Sequence, residues 1–349
     1  MSTAADASTG VLNVAVMGVG RMGQHHARVY SQLAGCKLVA VVDANPENAD
    51  KVSKLYGCRA FPTIEALLAA NLGLHAVTIA VPTVFHRAAA EKLLAAGVDV
   101  LVEKPLAPTV QDANAIVETA KKHGRVLQVG HTERFNPAMR ALKKYDLRPR
   151  FVEVHRISPM TFRSIDVGVV LDMMIHDLDI VNTLVRSPVV DVRAVGVPVV
   201  GKHEDIANAR LVFANGCVAN ITASRLALKT ERKMRLFSPT AYVSVDFQKK
   251  SGAVITKTAN EEELARVRKK VAAGEVADLT QLNYAELVKY EDLQVVDVEP
   301  LKAEQESFLH AVRTRGTPEV TGEDGAAAVD IAGRIAADIA KNAFMDGPQ

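Results

Sequence analysis

The feature that most constrains the fold of this chain is a glycine-rich turn between an apolar run and a helical pattern. The string Gly18-Val19-Gly20-Arg21-Met22-Gly23 follows the apolar run Leu12–Gly18 and opens a helix predicted over Met22–Leu33. Glycines at these positions allow a tight turn and let a pyrophosphate approach the backbone, and the N–H groups at the helix start bind its charge. The turn therefore predicts a dinucleotide-binding unit built from alternating strands and helices.

The order of strand-like and helical patterns indicates two structural classes within the chain. Up to about residue 147, helical patterns separate near-continuous runs of Val, Leu, Ala and Ile, which are typical of parallel strands covered on both faces. After Pro149 longer strand-like runs dominate, and Asn215-Gly216 between two of them is a hairpin signal. We predict an α/β plus α+β protein, with a doubly wound parallel Rossmann sheet followed by a mostly antiparallel sheet covered by helices.

The same patterns give bounds for the domains and elements. We expect a disordered tip over 1–10, a dinucleotide-binding Rossmann domain over 11–147, and a domain for substrate binding and oligomerisation over 148–349, whose C-terminal helices pack back on the first domain. The strands predicted in the second half are Phe151–Ile157, Val189–Val200, Ala207–Phe213, Cys217–Ser224, Lys233–Phe237 and Ala241–Phe247. The helices predicted there are Val169–Val185, Glu261–Gly274, Lys302–Arg315 and Gly325–Phe344.

Composition excludes several classes of partner. The 42 basic and 40 acidic residues nearly balance, so there is no electrostatic footprint for nucleic acid or for an anionic membrane. The three cysteines are far apart, which argues against zinc fingers and redox dithiols. No signal peptide and no apolar run long enough to span a bilayer is present in this sequence. We expect a cytoplasmic protein that binds a small molecule and no metal.

An acidic residue selects the dinucleotide. Asp43 ends the second predicted strand, where its carboxylate can accept hydrogen bonds from the ribose hydroxyls and would repel a 2′-phosphate. The sequence thus favours NAD over NADP. Further candidates stand at later strand ends, and the predicted cofactor-binding residues are Gly18, Gly20, Arg21, Met22, Gly23, Asp43, Val81, Pro82, Thr83, His86, Glu103 and Lys104.

Two groups of residues are candidates for catalysis. Lys104 follows a predicted strand at the edge where ligands bind, and a lysine there can hydrogen-bond a substrate hydroxyl. Asp172 and His176 are one helical turn apart, so the carboxylate could orient the imidazole and stabilise its cation, as suits a general base. A metal site and a plain surface pair are the rival interpretations of the second cluster. The residues do not decide whether Lys104 or His176 is the base.

These motifs together resemble the Gfo/Idh/MocA oxidoreductases. The resemblance rests on Gly18–Gly23, Glu103-Lys104-Pro105, the Asp172-x-x-x-His176 helix and the closing segment Pro318–Gly325. It implies that Lys104, Asp172 and His176 form the catalytic group and that the chain assembles as a homodimer or homotetramer. Ile175 departs from the glycine that many members have before the helix histidine, which implies a different pocket shape there.

Two further segments are similar to the branch of that family that oxidises the 3-hydroxyl of UDP-N-acetylglucosamine. They are Val129–Pro137 and Ser224–Lys233, and they add the cations Arg134, Arg225, Lys229 and Arg232 as candidates to neutralise a diphosphate. The substrate-binding residues expected are Arg134, Phe135, Asn136, Asp172, His176 and Arg225. Three alternatives stay open: a dehydrogenase of a free sugar or polyol such as myo-inositol, a glycosidase that recycles its NAD, and a non-catalytic NAD-binding protein.

Overall fold

The computed structural model describes residues 10–161, 167–259, 261–274 and 288–342. The disordered tip expected over 1–10 lies outside these ranges except for Gly10. Within the described residues, no helix combines the length and the apolar character needed to cross a membrane.

The first sheet has the predicted doubly wound, parallel architecture. Its six strands lie in the order β3-β2-β1-β4-β5-β6, and each neighbouring pair is parallel. Because the order reverses between β1 and β4, the ligand crevice is expected at the carboxyl ends of these two strands. The strands are β1 (Leu12–Met17), β2 (Cys36–Val42), β3 (Arg59–Phe61), β4 (Ala76–Ile79), β5 (Asp99–Glu103) and β6 (Leu127–Gly130).

Helices cover both faces of this sheet, which explains why its strands are almost wholly apolar. Val100, Leu101 and Val102 of β5, for example, are all fully buried. The helices are α1 (Arg21–Gln32), α2 (Pro46–Tyr56), α3 (Ile64–Ala69), α4 (His86–Ala95), α5 (Val110–His123) and α6 (Pro137–Leu142). Strand β3 and helices α3 and α6 were not predicted from the sequence patterns.

The second sheet is mostly antiparallel, as predicted, with eight strands in the order β14-β13-β12-β11-β7-β10-β9-β8. Its one parallel contact among the described strands joins β7 to β10. Gly216 at the predicted hairpin has φ +81° and connects β9 to β10. The strands are β7 (Phe151–Ile157), β8 (Val189–Val197), β9 (Ile206–Phe213), β10 (Val218–Ser224), β11 (Glu231–Phe237), β12 (Ala241–Asp246), β13 (Ser251–Lys257) and β14 (Val288–Asp292).

Helices connect the two sheets and position the site between them. Inward residues of β7 such as Val152 and Val154 share a core with Ile331 and Ile335 of the last helix, whose Val329 packs into the core of the first sheet. The helices of this half are α7 (Ile175–Val185), α8 (Glu261–Ala272), α9 (Pro300–Thr314) and α10 (Gly322–Lys341), and a π-helical turn, Val170–Met174, leads into α7. Residue 344, the predicted end of the last helix, lies outside the described residues.

Candidate active site

The glycine turn has the shape that an NAD pyrophosphate requires. Gly18 has φ +80°, and a Cβ atom there would lie 2.7 Å from the carbonyl oxygen of Ala80. A Cβ at Gly23 would lie 1.7 Å from the carbonyl oxygen of Gly18. At Gly20 it would meet nothing within 4 Å, so the turn is closed on the protein side and open on the other.

The start of α1 is available to an anion. Its N-cap is Gly20, and none of the described side chains caps the helix. The N–H groups of Arg21 and Met22 therefore lie at the positive end of the helix dipole, where a phosphate binds. The predicted roles of these residues belong to their backbone, since Arg21 is exposed and Met22 half-buried. The turn fits a dinucleotide.

Asp43 connects the end of β2 to this turn. Its Oδ2 accepts from the Val19 N–H at 2.8 Å and its Oδ1 from the Asn45 N–H at 2.8 Å. The side chain remains partly exposed, and each carboxylate oxygen can accept more than one hydrogen bond. Asp43 can therefore hold the glycine turn and accept ribose hydroxyls together, as predicted for NAD.

The segment after β4 contains further residues that were predicted to bind the cofactor. Val81 and Thr83 are half-buried and Pro82 is exposed, so these residues can reach a bound cofactor. The ring of His86 is buried between backbone carbonyls: Nε2 lies 2.9 Å from Val81 O and Nδ1 lies 3.0 Å from Pro105 O. The histidine therefore connects the β4 end to the segment after Lys104, and its contact with the cofactor stays a prediction.

Glu103, for which a cofactor contact was predicted, has structural partners within the protein. Its Oε1 lies 2.8 Å from Nε2 of His26, and its Oε2 accepts the backbone N–H of Lys104 at 3.1 Å. Glu304 of α9 lies beside them, and burial raises the pKa of its carboxyl well above the usual value. This buried cluster fixes the backbone from which the Lys104 side chain extends.

Lys104 and Asp172 come together from the two halves of the chain, as predicted. The ammonium of Lys104 donates to the backbone carbonyl of Asp172 at 2.7 Å and lies 3.5 Å from its carboxylate. The Lys104-Pro105 peptide is cis. The π-helical turn presents this Asp172 carbonyl to the lysine. The two side chains are partly exposed, at 20% for Lys104 and 33% for Asp172, so a substrate can reach both.

The predicted pairing of Asp172 with His176 does not occur. Nδ1 of His176 is buried and has no hydrogen-bond partner among the described residues, while Asp172 pairs with Lys104. The π-helical turn changes the helical geometry on which the predicted pairing depended. Burial, followed by the charges of Lys104 and Arg156, holds the pKa of His176 well below its usual value. The imidazole is therefore neutral at pH 7 and able to accept a proton.

Most of the residues predicted to bind substrate are part of the protein interior. Arg134 donates from Nε to Asp179 at 2.8 Å in a buried ion pair. Phe135 is fully buried. Asn136 caps α6 and donates to the Phe247 carbonyl. The polar groups of Arg134 and Asn136 are thus engaged within the protein and Phe135 is enclosed, so substrate contact by these three residues stays a prediction.

Arg225 is likewise structural. Its Nε donates to Asp205 at 2.6 Å, and its Nη1 donates to the Val167 carbonyl at 2.8 Å. Both Arg225 and Asp205 are buried. The substrate contact expected of Arg225 therefore stays a prediction, as does that of Arg134.

Sequence reasoning missed a charged group next to His176. Arg156 of β7 forms a buried pair with Asp177, with Nε 2.7 Å from Oδ2. Glu133 accepts from Arg156 at 3.4 Å and from Arg232 at 3.1 Å. The available signal was the strand period, because Arg156 follows Val152 and Val154 on the inward face of β7.

Comparisons with known proteins agree with this geometry. Residues 12–131 match the oxidoreductase family with an NAD-binding Rossmann fold, Gfo/Idh/MocA, and residues 148–243 match the Gfo/Idh/MocA C-terminal domain. A UDP-N-acetylglucosamine 3-dehydrogenase from Acidithiobacillus ferrooxidans is 41% identical over 237 residues, covering 68% of this chain and 74% of the relative. An inositol 2-dehydrogenase from Rhizobium meliloti is 31% identical over 227 residues, covering 61% of this chain and 68% of the relative.

Solved structures extend the likeness to nearly the whole chain. The structure of the Acidithiobacillus ferrooxidans UDP-N-acetylglucosamine 3-dehydrogenase superposes with a TM-score of 0.82 at 33% identity, covering 94% of this chain and 97% of that one. A levoglucosan dehydrogenase in complex with NADH superposes with a TM-score of 0.80 at 19% identity, covering 95% and 97%. The second likeness concerns the fold.

Proposed function

This chain belongs to the Gfo/Idh/MocA family of NAD-binding oxidoreductases, and from that premise we propose that it oxidises the 3-hydroxyl of UDP-N-acetylglucosamine to a ketone. Its reaction class, an NAD-dependent dehydrogenation of a sugar hydroxyl, follows from the family and its dehydrogenase members. When bound, NAD is the hydride acceptor. The observation that carries the substrate is the 41% identity to a UDP-N-acetylglucosamine 3-dehydrogenase, against 31% for the inositol 2-dehydrogenase.

The side chains at the site divide the acid–base work. Neutral His176 accepts the proton of the substrate hydroxyl, because its burial keeps the ring unprotonated at pH 7. The Lys104 ammonium, held by the Asp172 carbonyl, donates a hydrogen bond to the same oxygen and stabilises the negative charge that develops on it. Asp172 positions Lys104, and the buried Glu103–His26 pair fixes the lysine backbone.

Arg232 is the cation that we assign to the diphosphate. Arg134 and Arg225 are engaged in buried ion pairs, whereas the Arg232 side chain is 45% exposed and bonds Glu133. Along β11 it shares its side with the buried Met234 and Leu236, so it lies on the inner face of the sheet. Its charge also contributes to the low pKa of His176, which supports a position near the reacting hydroxyl.

The replacement Arg232→Gln is expected to raise KM for UDP-N-acetylglucosamine about tenfold while leaving KM for NAD unchanged, since one charge-assisted contact to phosphate is lost. Steady-state kinetics with each substrate varied in turn measures this split. Arg235→Gln is the matched control, because Arg235 lies on the opposite face of the same strand and pairs with Glu153. An equal effect of both replacements would contradict the assignment.

A substrate panel tests the proposed function. Purified protein is incubated with NAD and UDP-N-acetylglucosamine, N-acetylglucosamine, UDP-glucose or myo-inositol, with hydroxylamine present to trap the ketone. We expect reduced nicotinamide to form with UDP-N-acetylglucosamine at a kcat/KM at least tenfold above that for the others. Faster turnover of myo-inositol or of a free sugar would overturn the substrate assignment, and glycoside cleavage without net NAD reduction would favour an NAD-recycling glycosidase.

The outer face of the second sheet supports an oligomer. Val195 and Val197 of β8 and Ile206 of β9, which is paired with Val197, are 45%, 42% and 36% exposed on the side away from the helices. Clustered apolar residues on an open sheet face mark interaction surfaces. The protein is proposed to be a homodimer or homotetramer through this face. Light scattering at micromolar concentration is expected to give a multiple of 37.5 kDa, and a monomer mass would contradict the proposal.

A further inference from the structure

A second imidazole, that of His131, is buried beside His176, and the acid–base scheme above gives it no role. His131 directly follows β6, and its backbone N–H donates to the Val129 carbonyl at 2.8 Å. The residue is 0% exposed. Neither Nδ1 nor Nε2 has a hydrogen-bond partner in the part of the chain that the structure describes. Unpaired buried polar atoms are costly and rare in folded proteins, so this ring calls for a functional explanation.

The imidazole rings of His131 and His176 are neighbours. Their ring centroids are 6.4 Å apart, and the ring planes are 85° apart in an edge-on arrangement. Nδ1 of His176 is also buried and unpaired with respect to the described residues, so no direct hydrogen bond joins the rings. A single water molecule is the usual connection between buried polar groups that are separated by more than a hydrogen bond.

The environment makes His131 an acceptor. Burial holds its pKa below the usual value; among nearby charges Asp179 opposes this shift, while Arg134 and Lys104 add to it. A neutral imidazole has one nitrogen that donates and one that accepts. His131 can therefore accept a hydrogen bond from a water molecule that itself accepts the Nδ1–H of His176.

We propose that His131 is a positioning residue for the base: through one bridging water it holds His176 in the tautomer whose proton is on Nδ1. The hydrogen bond made by one ring nitrogen decides which nitrogen carries the proton. With Nδ1 protonated, the lone pair on Nε2 accepts the proton when the substrate O–H bond breaks. The resulting imidazolium keeps its Nδ1–H on the same water. The inference rests on the proposed base role of His176.

The direct test is ¹⁵N nuclear magnetic resonance of protein labelled at its histidines, with the His176 signals identified by their loss in His176→Gln. We expect the wild-type spectrum at pH 7 to show a protonated Nδ1 and an unprotonated Nε2. In His131→Phe, which keeps an aromatic ring but removes both nitrogens, the Nε2–H form is expected to prevail. In His131→Gln, whose amide oxygen can accept from water, the Nδ1–H form is expected to persist.

The kcat values of the two variants are a second readout, because a packing role for the ring would reverse their order. His131→Phe is expected to lower kcat about tenfold or more, and His131→Gln to stay within about threefold of wild type, because only the glutamine can replace the acceptor. If packing of the ring were its role, phenylalanine would keep activity and glutamine would lose it. NADH fluorescence titrations check that both variants still bind cofactor.

The wild-type spectrum can overturn the inference even if a variant does not fold. An Nε2-protonated His176 in the wild-type protein would overturn it. An Nδ1-protonated His176 that changes in His131→Phe would support it even if UDP-N-acetylglucosamine were not oxidised, so failure of the substrate assignment remains distinguishable from failure of this inference.

Discussion

Lys104→Met is expected to lower kcat about 10²- to 10⁴-fold, the usual effect of removing a positioned acid–base or charge-stabilising group. The methionine fills a similar volume but cannot donate to the reacting oxygen. The ammonium at this position donates to the Asp172 carbonyl at 2.7 Å, so its location is fixed before substrate binds. Lys104→Arg is expected to fail as well, because the planar guanidinium does not reproduce a compact ammonium in the same contact.

The measurement is kcat together with the affinity for NADH by fluorescence. Binding of NADH by the variant separates lost chemistry from lost folding. Lys121→Met is the matched control, because Lys121 is an exposed lysine on α5 that pairs with Glu118 and Glu323. A Lys104→Met enzyme that kept a third of its activity would contradict the assigned role.

Gly23→Ala is expected to abolish NAD binding and to destabilise the first domain by several kcal/mol. Its Cβ would lie 1.7 Å from the Gly18 carbonyl oxygen, a backbone atom that cannot move without opening the turn. Gly20→Ala is expected to behave differently: the added methyl meets no protein atom within 4 Å, yet it occupies the side on which the pyrophosphate approaches.

Thermal unfolding and NADH titration distinguish the two glycine variants. We expect Gly23→Ala to lose both stability and binding, and Gly20→Ala to keep the melting temperature but lose about tenfold or more in NADH affinity. Gly333→Ala in α10 is the control, since a Cβ there is also unopposed, and alanine in a helix is favoured over glycine by about 0.5–1 kcal/mol. A stable Gly23→Ala protein that binds NADH normally would contradict the close packing of this turn.

The fold was largely predictable because the decisive signals are local. Near-continuous apolar runs, the glycine turn and the Asn215-Gly216 hairpin each depend on a few neighbouring residues, and the structure confirms the two sheet types. The misses have weak local signals. Strand β3 has only three residues, and β13 contains a glycine at Gly252, where a close backbone approach replaces side-chain packing.

The sequence indicated which residues belong near the site, but it gave less information on the hydrogen-bond and ion-pair partners of their side chains. The position of Lys104 was predictable because a residue that follows a parallel strand lies at the carboxyl edge of the sheet, where ligands bind. The partners of Arg134, Arg225 and His86 come from elements distant in sequence, so nothing local showed that these groups were already engaged. The Asp172–His176 pair failed because a π-helical turn replaced the regular helix on which the spacing argument depended.

The transfer of deuterium from C3 of the substrate to NAD is the decisive test of the proposed reaction. UDP-N-acetylglucosamine deuterated at C3 is incubated with NAD and the enzyme, and the reduced nicotinamide is analysed by mass spectrometry. We expect NADH one mass unit heavier than the product from unlabelled substrate, because the hydride comes from C3. Unlabelled NADH, or no NADH while myo-inositol is oxidised under the same conditions, would contradict it.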